Sequence, residues 1–316
     1  MKILIICFFI IAFIAPVSAD SYVVISQNDE RVLEEKDKDQ QQSVASISKV
    51  MTAILSIEYL NMNKQVKVGN EILTVEGSSI YLEENEKIKV ETLLYGLMLR
   101  SGNDAAVVLA KQVSGSNKKF VDLMNKKALE IGMKNTIFNN PSGLDENGGN
   151  ISTAYDMALL YDYAFKNKTF KKIVGTKYYR HENNGVWKNK NKLLFINNNV
   201  DGGKTGYTKI AGRTLISSSN TLDTGVIIVT LGASDDFKFH DETHNTYLPQ
   251  LESKLILRKG ILKYHQDDYL VNSDIYITLK RDIDEEIKYS YVQKDNTLKL
   301  KISIGSDSKT YVFDRC

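Results

Sequence analysis

Near Gly260 the chain changes period. From Thr297 to Ile304 the residues read Thr-Leu-Lys-Leu-Lys-Ile-Ser-Ile, a strict alternation of apolar and polar. That period of two is what a strand buried on one face needs, and Asp295-Asn296 just before it is a hairpin-turn signal. Upstream the pattern differs. Val50, Met51, Ile54, Leu55 and Ile57 recur at helical spacing, and so do Leu93, Leu94, Leu97 and Met98. A helix period and a strand period do not share one layer. The chain is therefore expected to fold as a mixed α/β body over residues 20–258, followed by a small β-rich domain over 259–316.

Within the body, Tyr22 to Ser26 reads as a strand, Gln27-Asn28-Asp29 as a turn, and Arg31-Val32-Leu33 as the start of a second strand. A helix opens near Ser46. Val66 to Val68 and Ile72 to Val75 read as extended pieces. Val90 to Leu99 is helical, is interrupted by Arg100-Ser101-Gly102-Asn103, and resumes from Ala105 to Val113. Ser116 is a good N-cap for a helix that Gly132 stops, and Thr153 to Phe165 is a further amphipathic helix. Asn140-Pro141-Ser142-Gly143 is a turn cluster. Gly202 to Tyr207, Arg213 to Ser219 and Val226 to Leu231 are strand-like, and Glu242 to Leu257 is expected to be helical.

The N-terminus carries a separate signal. Lys2 precedes an unbroken apolar run from Ile3 to Ala15, Pro16 breaks it, and Val17-Ser18-Ala19 fits a small-x-small cleavage site. This is the pattern of a signal peptide over residues 1–19, cut after Ala19. The run is short for a membrane span, which needs about 20 residues. The remainder is thus expected outside the cytoplasm, in the cell envelope. Cys7 leaves with the signal and Cys316 is the last residue, so no internal disulfide is expected. A net charge of +2 gives no pull toward nucleic acid. His240 and His244 are spaced as a helical pair, but no third ligand is suggested, so no metal is expected.

An extracytoplasmic hydrolase without a metal box needs an activated nucleophile, a base and an oxyanion hole. Ser-x-x-Lys offers the first two, since both residues lie on one face of a helix. It occurs at Ser46/Lys49, Ser116/Lys119 and Ser306/Lys309. Ser-x-Asn occurs at Ser26, Ser101 and Ser218, and Lys-Thr-Gly once, at 204–206. Their settings differ. Ser46 opens an apolar helix, Ser101-Gly102-Asn103 breaks one, and Gly206 allows a ligand backbone to approach its strand.

Ala45-Ser46-Ile47-Ser48-Lys49-Val50-Met51-Thr52, then Ser101-Gly102-Asn103-Asp104, then Gly203-Lys204-Thr205-Gly206-Tyr207-Thr208 resemble the low-molecular-mass penicillin-binding proteins, and within them the serine-type D-alanyl-D-alanine carboxypeptidases. Gly77-Ser78-Ser79, Phe138 to Leu144 and Ser152 to Ala158 match as well, so the resemblance covers about residues 22 to 258. Motif order selects Ser46 over the other two Ser-x-x-Lys sites. The implied fold is the β-lactamase/transpeptidase type, an antiparallel sheet flanked by helices, with a helical lobe between Thr52 and about Asn199.

The resemblance also implies roles. Ser46 is the nucleophile, Lys49 its base, and Ser101 the relay to the leaving D-alanine. Asn103 would hold the substrate amide, Lys204 and Thr205 the terminal carboxylate, and the amides of Ser46 and Tyr207 the oxyanion. The implied substrate is a peptidoglycan stem peptide ending in D-Ala-D-Ala, with β-lactam antibiotics as covalent inhibitors and no cofactor. The family often carries an Arg after the strand that follows Lys-Thr-Gly. The nearest match here is Lys238, which lacks the planar bidentate grip of Arg. A class A β-lactamase would need a Glu-x-x-Leu-Asn loop, which the stretch from Phe138 to Asn150 lacks. A non-catalytic envelope-binding protein is the other alternative. Related enzymes often end in an amphipathic helix lying on the membrane. This chain ends on a strand-like segment, which leaves membrane association open.

Overall fold

The computed structural model describes residues 19–145, 148–182, 184–221 and 224–316. Apart from Ala19, the expected signal segment with Cys7 lies outside the described residues, as do Glu146 and Asp223.

A five-stranded antiparallel sheet forms the centre. Its order is Val32–Lys36, Ser21–Ser26, Gly225–Leu231, Gly212–Asn220, Val200–Thr208. The middle strand is buried along its whole length, which explains why Gly-Val-Ile-Ile-Val-Thr-Leu reads as a continuous run instead of alternating. One face, with Val23, Ile25, Ile216, Ile227 and Val229, packs on the helical lobe. The other, with Val24, Val226 and Ile228, packs on Phe239, Leu248 and Leu251.

The lobe is built on the Lys49–Tyr59 helix, which is buried from Lys49 through Ser56. Ser116 caps the Asn117–Glu130 helix by accepting from the Lys119 amide, and Thr153 caps Ala154–Phe165. Two expectations need correcting here. Asn70–Ile72 is a single 3-10 turn, not an extended piece. The helix expected over Glu242 to Leu257 is instead the Asp236–Tyr247 helix, then a short turn, then the Leu251–Leu257 strand. Pro249 is the physical reason, because it lacks the N–H that would continue the helix.

The Leu251–Leu257 strand pairs with Ile275–Lys280. Beyond it, Ile287–Lys294, Thr297–Ile304 and Asp307–Asp314 make a three-stranded sheet. Its inward face carries Leu298, Leu300, Ile302, Ile304 and Phe313. Residues on the turn after the first strand join this module to the body. Arg31 Nη2 lies 2.6 Å from Glu285, its Nη1 donates to the Thr278 carbonyl at 3.0 Å, and its Nε reaches Asp307 at 3.2 Å. The Asp29 carboxylate accepts from the Thr278 amide at 2.8 Å.

Candidate active site

Three segments distant in sequence converge where the lobe meets the edge strand. The first is the turn Ala45–Ser48 leading into the Lys49–Tyr59 helix. Ala45 has φ 49°, a left-handed conformation that costs an L-residue about 1–2 kcal/mol. Gly143, at φ +82°, packs against the Ala45 carbonyl and the Ser48 hydroxyl where a side chain would collide. The Asn140 carboxamide holds this turn in shape, accepting from the Gly143 amide at 2.6 Å and the Ser142 amide at 3.1 Å.

The second segment is the break between helices. Val90–Tyr95 passes into a wider turn over Gly96–Arg100, and Ser101 takes the left-handed conformation with φ 65° and ψ 33°. Asn103–Ser114 then begins. Asp104, in its first turn, accepts from the amides of Ile80 and Leu82 at 3.1 Å each, so the Gly77–Leu82 loop is fixed beside the site. The third segment is the Val200–Thr208 strand. Gly206 lets it press on the first segment, because a Cβ there would stand 3.0 Å from the Ser46 amide nitrogen.

Lys49 is fully buried. Its Nζ lies 2.9 Å from Ser46 Oγ and 2.7 Å from Asn103 Oδ1, and it also donates to the Ser142 carbonyl. Lys204 Nζ lies 3.0 Å from Ser101 Oγ and 2.6 Å from the Thr205 carbonyl. Asn103 Nδ2 donates to the Glu76 carbonyl at 2.6 Å. Burial, reinforced by the charges of Lys204 and Lys190, holds Lys49 well below the usual ammonium range. Burial and then Lys190 bring Lys204 down to about 7. No carboxylate pairs with either ammonium among the described residues.

Ser46, Ser101, Thr205, Gly206 and Tyr207 line one cleft of about 310 Å³, together with Ser78, Lys190, Arg213, Asp236 and Phe237. Lys238 is not among its walls. Its side chain is 60% exposed and faces Glu242 at 4.0 Å, one helical turn on. The cations lining the cleft are Lys190 and Arg213, with Lys204 buried behind Ser101. Arg213 stands opposite Tyr207 on the adjacent strand, its Nε 3.1 Å from the Asp236 carboxylate. Sequence reasoning missed Arg213, although it stands directly across from the strand carrying Lys-Thr-Gly. Lys190 gave no motif signal. It donates to Ser78 Oγ at 3.3 Å.

The other Ser-x-x-Lys pairs are elsewhere. Ser116 is a helix cap, and Lys309 pairs with Glu30 at 3.2 Å in the module seam. His240 and His244 do share a helix face, but their ring nitrogens meet hydroxyls. Ser217 Oγ lies 2.6 Å from each ring, and Thr230 and Ser219 complete the set at 3.0 and 2.7 Å.

A sequence profile described as D-alanyl-D-alanine carboxypeptidase matches residues 12–235. The chain belongs to the D-alanyl-D-alanine carboxypeptidase family. Among curated relatives, D-alanyl-D-alanine carboxypeptidase DacF of Bacillus subtilis is 35% identical over 94% of this chain and 82% of its own length. DacA of Escherichia coli is 30% identical over 89% and 76%. Among solved structures, penicillin-binding protein 5 of Haemophilus influenzae superimposes with a TM-score of 0.79 at 25% identity, covering 95% of this chain and 97% of that one. The fold is thus that of these transpeptidase-like enzymes with a β-rich domain behind. The protein is a serine-type D-Ala-D-Ala carboxypeptidase, a penicillin-binding hydrolase acting on peptidoglycan stem peptides. These likenesses support that reading and not the β-lactamase or non-catalytic alternatives. Family members work on the envelope, which agrees with an extracytoplasmic role. Among the described residues no helix is long and apolar enough to cross a membrane.

Proposed function

We propose that Ser46 Oγ attacks the carbonyl carbon of the penultimate D-alanine and that Lys49 Nζ takes its proton. The observation that carries this is the environment of Lys49. Asn103 Oδ1 and the Ser142 carbonyl can only accept, so a neutral amine gives both its N–H bonds to them. Its lone pair is then left for the Ser46 hydroxyl, 2.9 Å away. The tetrahedral oxyanion sits between the amides of Ser46 and Tyr207, where losing one donor typically costs about 2.7–4 kcal/mol of transition-state stabilisation. Ser101 passes the proton to the departing D-alanine nitrogen as the C–N bond breaks. Water then hydrolyses the Ser46 ester.

Lys204 and Thr205 take the terminal carboxylate, and Asn103 the substrate amide. Arg213, on the cleft wall, supplies the cation for which the resemblance pointed to Lys238. The reaction belongs to the body, residues 20–258, with residues 259–316 as a separate small domain. Export by the 1–19 signal, cut after Ala19, puts the enzyme in the envelope. Product analysis on purified muropeptides tests the substrate reading. Loss of one alanine from pentapeptide stems, with cross-links intact, is the expected outcome. Cut cross-links would make it an endopeptidase.

A further inference from the structure

The outward face of the C-terminal sheet carries one lysine on every rung. In the antiparallel pair Ile287–Lys294 and Thr297–Ile304, Lys294 stands opposite Thr297, Lys299 opposite Val292, Lys301 opposite Ser290, and Lys288 opposite Ser303. All eight point away from the core, since Leu298, Leu300, Ile302 and Ile304 take the inner face. The four lysines are exposed. Successive rungs on one face are about 6.8 Å apart, two residues of about 3.4 Å each. The result is a narrow row of four ammonium groups, two on each of the paired strands. Lys288 has an exposed partner in Glu286 at 3.1 Å, while Lys294, Lys299 and Lys301 form no ion pair among the described residues.

Edge protection explains only half of this. Lysines on an edge strand discourage pairing with another chain, and Lys288 and Lys294 sit on such an edge. Lys299 and Lys301 are on the central strand, which is already paired on both sides. There a lysine protects no edge. On the third strand Thr310 stands opposite Lys301 and Ser308 opposite Ser303, while Asp314 stands opposite Thr297 and puts one carboxylate at the Lys294 end of the row.

We propose that this face is a docking track for a linear polyanion, a polyphosphate chain lying along Thr297–Ile304. A narrow row matches a linear chain of charges better than it matches a broad anionic sheet such as a membrane. The track lies on the module, not on the cleft, so it would hold the enzyme on a polymer while leaving Ser46 unaffected.

The test is binding of inorganic polyphosphate to the full chain at several salt concentrations, for wild type and for a quadruple variant K288Q/K294Q/K299Q/K301Q. Wild type is expected to bind, with affinity falling as salt rises. The variant is expected to lose at least tenfold in affinity at low salt. Its log K against log salt should be shallower by roughly three, at about 0.7 per charge on a single strand. D-alanine release should stay at the wild-type rate, which separates this outcome from misfolding. A quadruple Lys→Arg variant should bind as wild type. Unchanged binding by the glutamine variant would overturn the proposal, as would wild type that ignores polyphosphate but binds phosphatidylglycerol vesicles.

Discussion

At the scale of single residues, the site rests on two buried ammonium groups with different tasks. Burial, with the charges of Lys204 and Lys190 added, holds Lys49 well below the usual ammonium range. The pair therefore divides into a neutral base and a cation near neutrality. In the free enzyme Lys204 loses its proton near pH 7, since burial first and Lys190 second lower it to about 7. The profile of kcat/KM, which reports the free enzyme, should fall as pH rises through about 7. A bound carboxylate favours the ammonium, so the alkaline limb of kcat should lie higher. The acid limb belongs to Lys49. A kcat/KM that stays level from about pH 6 to about pH 9 would contradict this division. The residues of both ammonium sites were legible as motifs. Arg213 was not, because strand pairing places it in the cleft and a cross-strand neighbour leaves no spacing to read. Lys238 was assigned by sequence proximity, but the start of the Asp236–Tyr247 helix turns it toward Glu242.

Among elements, the Asp236–Tyr247 helix depends on its two buried histidines. Burial pushes His244 down to about 3, and burial together with His244 holds His240 well below the usual imidazole range. Free imidazole titrates near 6.5. Because the folded values are depressed, the unfolded chain binds more protons below about 6.5. The stability these groups contribute is present above that value and is lost as pH falls toward about 3. Thermal unfolding from pH 7.5 down to about pH 4 should show Tm falling, and H244Q should flatten the slope. Equal slopes for both proteins would sink this account. Most elements were legible because their patterns are local. The strict alternation over Thr297–Ile304 became a strand with those bounds, and Ser116 became a cap. The Leu251–Leu257 strand was misread because its pairing with Ile275–Lys280 is long-range, and Pro249 was given too little weight.

For the whole molecule, the question is how body and module act as one. Arg31 joins them through two carboxylates and a carbonyl, and its side chain is only 11% exposed. Removing Arg31 from this cluster leaves Glu285 and the Thr278 carbonyl without their donor, costing on the order of 1–3 kcal/mol. Arg31→Ala should therefore loosen the module. Calorimetry would show two transitions, or one lower one, with D-alanine release at low temperature preserved. A single transition at the wild-type temperature would show that the seam is held by other contacts.

The claim on which all of this depends is that Ser46 carries the acyl group. Mass spectrometry of a digest after brief reaction with penicillin tests it most directly. The account predicts one added penicilloyl mass on the peptide containing Ser46, absent in Ser46→Ala. An adduct on Ser101 or Ser116, or one that persists in Ser46→Ala, would contradict it.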